Sequence, residues 1–143
     1  MRYVARSASV PYAASQMYAL VADIPSYPLF LPWCRDSQVL STDGDQVVAS
    51  LEISFKGLNK TFTTLNRTKP FELIEMELVA GPFSHLQGYW KFIEQDQNTS
   101  KISLNMEYDF SSRFLSAVFG PVFGQIANSL VEAFRRRAGE LYG

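Results

Sequence analysis

The stretch from Phe114 to Tyr142 constrains the fold more strongly than any other part of the sequence. Its large apolar residues recur at gaps of three or four: Leu115, Phe119, Phe123, Ile126, Leu130 and Phe134. This spacing predicts a helix with one apolar face, which must pack on another element. Pro121 lies inside the pattern and predicts a kink or a restart near Gly120, with the firm helix running from Pro121 onward.

The residues before this helix alternate between apolar and polar side chains, as strands do. A first strand is predicted at 2–9, followed by a helix from Pro11 to Asp23 and then by a short helical turn at most, because three prolines follow. Strands at 45–56 and 58–68 are expected to form a hairpin, and further strands reach Phe110. The sequence therefore predicts one α+β domain over 1–143. In it, a curved antiparallel sheet of six or seven strands wraps around the long C-terminal helix, a helix-grip fold.

The charge and the motifs exclude several classes of function. Thirteen basic and fourteen acidic residues give a net charge of −1, so the overall field does not favour DNA as a partner. A single cysteine fits a reducing cytoplasm and excludes an internal disulfide. The sequence has no phosphate-binding glycine loop and no paired-cysteine metal motif, so neither a cofactor nor a metal is predicted.

The residues that could perform chemistry are few and isolated. His85 falls on the strand face opposite Leu86, Trp90 and Phe92, and it has no metal-ligating partner. Cys34 has no histidine near it in the sequence and is expected to be a small buried residue. Glu75 and Glu77 alternate with apolar residues along their strand, which places both carboxylates on the solvated face of the sheet. We therefore predict no catalytic residue.

Two interpretations of the apolar surfaces remain open. The sheet face supplies Phe55, Phe62, Met76, Leu78, Trp90, Met106 and Tyr108. The helix supplies Phe119, Phe123, Ile126, Leu130 and Phe134. These residues could fill an ordinary packed core, or they could line a pocket for an apolar ligand.

The proline-rich segment Asp23–Cys34, with its string Tyr-Pro-Leu-Phe-Leu-Pro-Trp-Cys, resembles a segment of the coenzyme Q-binding START-domain family. The family includes ribosome-association toxins and is grouped with polyketide cyclases and lipid transport proteins. The run from Phe119 to Gly143 is similar to the closing helix of that family. The resemblance implies a hydrophobic tunnel between sheet and helix. Its mouth would be lined or capped by Tyr27, Phe30, Leu31, Pro32 and Trp33, and its helix side by Phe119, Phe123, Ile126 and Leu130.

Three functions follow from this resemblance and from the residues. The first is non-enzymatic binding of ubiquinone or a related polyprenyl lipid, in support of respiration, with Tyr108, Trp33 or Asn66 as donors to the quinone head. The second is binding to the large ribosomal subunit, which blocks subunit joining in the toxin members. The third, a cyclase-like enzyme, needs an acid or base in the pocket, and the inward positions offer almost none.

Two surface features bear on the partners. Leu29, Phe30 and Leu31 are a candidate for transient contact with a membrane, with burial under the first helix as the alternative. Lys56, Lys60, Arg67 and Lys69 lie on or near one hairpin and could form a basic edge for RNA phosphates. The protein is expected in the cytoplasm, with a peripheral position at the inner membrane left open.

Overall fold

The computed structural model describes residues 1–143 and consists of one antiparallel sheet and two α-helices. The strands are β1 (Arg2–Val10), β2 (Cys34–Asp43), β3 (Gln46–Phe55), β4 (Leu58–Lys69), β5 (Leu73–Ala80), β6 (Phe83–Glu94) and β7 (Ser100–Phe110). The helices are α1 (Ala14–Ala22), a six-residue 3-10 helix (Ile24–Leu29) and α2 (Arg113–Tyr142).

The seven strands form a single sheet in the order β1-β7-β6-β5-β4-β3-β2. Strands β2 to β7 follow one another as a meander, and β1 pairs with β7 across the chain. The inner face of β7 is buried at every second residue, as the alternation of its sequence predicts. The helix-grip fold predicted from the sequence is confirmed.

Helix α2 runs without interruption from Arg113 to Tyr142, so the restart predicted near Gly120 is wrong. The Ser112 side chain accepts a hydrogen bond from the Leu115 amide at 3.1 Å and caps the helix nine residues before the proline. Pro121 lacks the amide that would bond one turn back. Phe119 and Phe123, on either side of it, are buried against the sheet and hold the helix in register.

In length and hydropathy α2 also meets the criteria for a membrane span, with a mean hydropathy of 1.4 over its most apolar window. A third of that window is buried in this fold, where it packs on the sheet. A helix at the core of a globular fold meets the same criteria, so this property by itself assigns no membrane position.

Gly88 marks a point where two strands come unusually close. It lies in β6 between Met76 of β5 and Met106 of β7. A Cβ atom at this position would lie 2.4 Å from the Asn105 carbonyl oxygen and 2.8 Å from the Met106 Cα. Only glycine fits there, and glycine inside a strand is typical of a bend or a close backbone approach.

The proline-rich segment closes the flank between β2 and α2. Its 3-10 helix agrees with the prediction of a short helical turn, and the Ser37 hydroxyl donates to the Ile24 carbonyl at 2.7 Å to hold it on β2. The rings of Tyr27 and Phe30 both pack edge-on against Phe134 of α2. This segment therefore forms one wall of the space between sheet and helix.

A candidate ligand cavity between the sheet and helix α2

An apolar cavity of about 80 Å³ lies between the inner face of the sheet and the middle of α2. Sixteen of its eighteen lining residues are hydrophobic. The sequence predicted nine of them as ligand-binding residues: Tyr27, Trp33, Phe62, Met76, Trp90, Met106, Phe123, Ile126 and Leu130. Sheet, proline-rich segment and helix thus each contribute to the wall, as predicted.

Six predicted residues lie elsewhere. Tyr108 and Phe119 belong to a cluster of edge-to-face rings around Phe110 and Phe123 that fills the space beside the first turns of α2. Leu31 is buried in the core, and Phe30 packs on Tyr27 and Phe134 outside the cavity. Phe55 and Leu78 are half-buried at the ends of their strands. The packed-core and pocket interpretations therefore each describe part of the interface.

The lining residues that were not in the predicted set are mostly smaller or sit in neighbouring strands. They are Ile24, Ala49, Leu51, Ile53, Thr64, Leu86 and Ala127. Phe134 and Asn66 also line the cavity; the sequence placed Phe134 on the apolar face of the helix and offered Asn66 as a possible donor to a quinone head. Ala127 lies one turn after Phe123, and its small side chain leaves part of the space unfilled.

Thr64 and Asn66 form the polar part of the wall. Both lie on β4 and are buried, and the Thr64 hydroxyl donates to the Asn66 Oδ1 at 2.8 Å. The Asn66 Nδ2 makes no hydrogen bond within the protein. An amide nitrogen has two N–H donors, so this atom can donate to an acceptor in the cavity.

The other two predicted head-group donors differ in position. Trp33 lines the cavity, whereas Tyr108 does not. Tyr27 also lines it, but its hydroxyl donates to the Val21 carbonyl and so serves the local structure. Burial, with the nearby Cys34 and Asp23, raises the pKa of Tyr27 well above its ordinary value, so the phenol stays protonated.

A second space of about 150 Å³ adjoins the cavity beneath α1. The two share five lining residues: Ile24, Tyr27, Asn66, Met76 and Trp90. Among these, Met76 has the most flexible side chain, and an unbranched thioether changes rotamer easily. A movement of Met76 would join the two spaces beside the Asn66 amide.

Apart from the Tyr27 phenol, the titratable groups lie away from the cavity. His85 and Glu107 pair at 3.2 Å on the outer face of the sheet. Burial and the Asp36 carboxylate raise the pKa of the Cys34 thiol to about 11, so it is protonated at neutral pH. No carboxylate or imidazole lines the cavity, and no group of three potential metal ligands exists in the chain.

The predicted basic edge on the β3–β4 hairpin is not formed. Arg67 pairs with Glu77 at 2.9 Å and Lys69 pairs with Glu72 at 3.4 Å. Lys60 lies seven residues before Arg67 on β4, roughly 23 Å away at the usual rise of a strand. The four cations therefore divide between the two ends of the hairpin.

The predicted membrane-contacting triplet is mostly packed. Leu31 is 1% exposed, and Phe30 lies under the Arg137 guanidinium, 5.1 Å from the ring centre. Only Leu29 projects, at 72% exposure. Burial, the alternative interpretation, holds for Leu31, whereas Phe30 is half-buried.

Comparison with known proteins gives matches along nearly the whole chain. Residues 10–135 match the family described as polyketide cyclase / dehydrase and lipid transport. The ribosome association toxin RatA of Vibrio cholerae is 43% identical over 143 residues, which is 100% of this chain and 99% of that protein. The mitochondrial coenzyme Q-binding protein COQ10 homolog B of Xenopus laevis is 28% identical over 92% of this chain and 56% of that protein.

Solved structures share the fold at low sequence identity. The Zhui aromatase/cyclase from Streptomyces sp. R1128 superposes with a TM-score of 0.88 at 16% identity, covering 99% of this chain and 96% of that one. A START superfamily protein from Mycobacterium smegmatis gives 0.81 at 18% identity, covering 97% and 98%. At these identities the likeness shows the architecture alone.

Proposed function

Because the chain belongs to the polyketide cyclase / dehydrase and lipid transport family, we propose that it binds a hydrophobic ligand between the sheet and α2. The family expected from the proline-rich segment is confirmed by this match and by the relatives named RatA and COQ10 homolog. The observation that carries the proposal is the composition of the cavity wall. It is apolar throughout except for Thr64 and Asn66, and apolar pockets with few polar groups are typical of ligand sites.

The ligand class that fits this wall best is a polyprenyl quinone such as ubiquinone. A quinone ring offers carbonyl oxygens, which accept hydrogen bonds, and Asn66 Nδ2 is a donor without a partner. An isoprenoid tail gains about 0.8 kcal/mol for each CH₂ that it buries. The relative from Xenopus laevis, which is named a coenzyme Q-binding protein, supports the same class.

Binding requires the cavity to widen. Its 80 Å³ is well below the roughly 300–1,000 Å³ of pockets that hold small molecules. The adjoining space of about 150 Å³ shares Met76 with the cavity, and we infer that a rotamer change of this flexible side chain joins the two. We infer that the ligand's head lies near Asn66 and that its tail extends along α2 past Leu130.

We propose binding without catalysis. A cyclase moves protons, and this requires an acid or base beside the substrate. The lining residues include no carboxylate, imidazole or amine, and the phenol of Tyr27 is engaged with a backbone carbonyl. This chain shares its architecture with an aromatase/cyclase, but its cavity offers no free acid or base to a substrate.

The tryptophans provide a direct test. The chain has two, Trp33 and Trp90, and both line the cavity. Titration with a short-chain ubiquinone should quench their fluorescence and saturate at one equivalent. A linear, unsaturable quench, the same as that of free tryptophan, would refute quinone binding.

A second function is supported by the relatives named ribosome association toxin, one of them 43% identical over the full length. We propose that a surface distinct from the cavity contacts the ribosome, at the large subunit, in the cytoplasm. Among the arginines at the C-terminal end of α2, Arg135 pairs with Glu132 and Arg137 with Glu140, which leaves Arg136 for a phosphate. Pelleting with purified large subunits should weaken steeply with salt. Recovery with small subunits alone would refute the assignment.

A further inference from the structure

We propose that one end of the sheet is a docking surface for an anionic lipid bilayer. Three segments meet at this end: the β3–β4 turn, the β5–β6 turn and the first turns of α2. We call this surface the apolar rim and define it as residues 55–61, 79–84 and 111–122. The proposal rests on the lipid-binding function above and names the membrane that would supply the lipid.

The rim exposes large apolar side chains. Phe114 is 73% exposed, Val79 56% and Val118 40%. Phe55, Leu58 and Val122 of the rim are half-buried. Clustered apolar exposure of this kind marks an interaction surface.

The rim is also basic. It contains Lys56, Lys60 and Arg113 and no acidic residue. The Lys56 ammonium lies 5.3 Å from the centre of the Phe55 ring at the tip of the turn, so charge and apolar surface are presented together. Side chains with an apolar stem and a cationic end are favoured at a membrane surface.

The opposite end of the sheet has the reverse charge. Its three turns, 43–46, 69–73 and 94–99, carry five acidic residues and one lysine: Asp43, Asp45, Glu72, Glu94, Asp96 and Lys69. The last turns of α2 reach this end and add Arg135, Arg136 and Arg137 with Glu132 and Glu140, so the end remains net acidic. Phe71 at that end is 56% exposed, so apolar exposure alone does not distinguish the two ends. Charge complementarity to an anionic surface does, and it selects the rim.

The rim adjoins the cavity. Phe62 lines the cavity, and a Cβ atom on Gly81 of the rim would lie 2.7 Å from the Phe62 Cβ. Phe123, also in the wall, directly follows Val122 of the rim. Two residues of the cavity wall therefore adjoin residues of the rim.

The test is flotation with vesicles of phosphatidylcholine, with and without about one third phosphatidylglycerol. Each basic residue near an anionic surface strengthens binding roughly fivefold, so anionic vesicles should recover the protein and neutral ones far less. Phe114→Glu should reduce recovery by about tenfold or more. The matched control is Phe71→Glu, which makes the same change at the acidic end and should leave recovery unaltered.

Equal recovery on both vesicles, or an equal loss in both variants, would overturn the proposal. The Trp33 and Trp90 quench by short-chain ubiquinone, measured without vesicles, separates this outcome from failure of the proposed function. Phe114→Glu should retain that quench, since Phe114 does not line the cavity. If the protein binds anionic vesicles but ubiquinone does not quench its tryptophans, quinone binding is refuted and the docking surface is still supported.

Discussion

The Thr64 hydroxyl donates its hydrogen bond to Asn66 Oδ1 at 2.8 Å, in the wall of an otherwise apolar cavity. This bond fixes the orientation of the Asn66 amide and leaves its Nδ2 for a ligand. In this account Asn66 recognises the polar head group of the ligand, and the apolar wall supplies the rest of the affinity.

The first prediction concerns this pair. In Asn66→Leu alone, the buried Thr64 hydroxyl loses its acceptor, at a cost of about 1–3 kcal/mol in stability. Adding Thr64→Val removes that unsatisfied group and should recover the stability. The double variant should bind short-chain ubiquinone about fivefold more weakly, because one hydrogen bond is lost. Dodecane, which accepts no hydrogen bond, should bind both proteins equally. A double variant with wild-type quinone affinity would show that Asn66 does not contact the head.

The second prediction concerns the volume of the cavity. Ala127 lines it, and Ala127→Leu should fill it. At about 24 cal/mol per Å³ of cavity, filling can raise stability by about 1–2 kcal/mol. Quinone quenching should fall more than tenfold. The control is Ala133→Leu on the same helix, half-buried but outside the cavity, which should bind normally. If both variants bind as the wild type does, the ligand lies elsewhere.

The third prediction concerns the close approach at Gly88. Gly88→Ala places a methyl group against the backbone of β7 and should cost about 1–3 kcal/mol. The melting temperature should fall by roughly 3–10 °C. Gly124→Ala is the control. Its Cβ would contact only the Tyr108 hydroxyl, at 3.5 Å, and alanine favours a helix, so its melting temperature should not fall. An unchanged melting temperature for Gly88→Ala would show that the strands separate easily there.

The fourth prediction concerns alkaline pH. Burial raises the pKa of Cys34 from 9.0 to about 11 and raises the pKa of Tyr27 above 10.0. Because the unfolded chain loses these protons first, the stability they contribute is present below pH 9 and is lost as the pH rises from 9 towards 11.

Melting temperatures measured from pH 7 to 11 check this. Tyr27→Phe should be less stable at pH 7, since the hydrogen bond to the Val21 carbonyl is lost, and its melting temperature should fall less between pH 9 and 11. Parallel curves for the two proteins would show that Tyr27 ionises normally in the fold.

Most of the fold could be predicted from periodicity. Alternation in β7 and the three-to-four spacing in α2 identify the faces that pack, and the prolines after Asp23 identify a short, irregular segment. The continuity of α2 across Pro121 could not be predicted, because Pro121 signals a break and only the cap at Ser112 and the packing of the helix override that signal.

The cavity was harder to predict than the face on which it lies. Parity places Phe55 and Phe62 on the same side of the sheet, but Phe62 lines the cavity and Phe55 sits at its strand's end. Depth along a strand depends on how the sheet curves, which no short sequence pattern encodes. The space itself remains where small side chains such as Ala49 and Ala127 stand among large ones, so it depends on all of them together.

The most direct test of the central claim is mass spectrometry of lipids extracted from the protein after gentle purification from its own host. The account predicts one quinone or similar polyprenyl lipid per chain, lost in Ala127→Leu and retained in Ala133→Leu. An empty wild-type protein that also takes up no added ubiquinone would contradict the account.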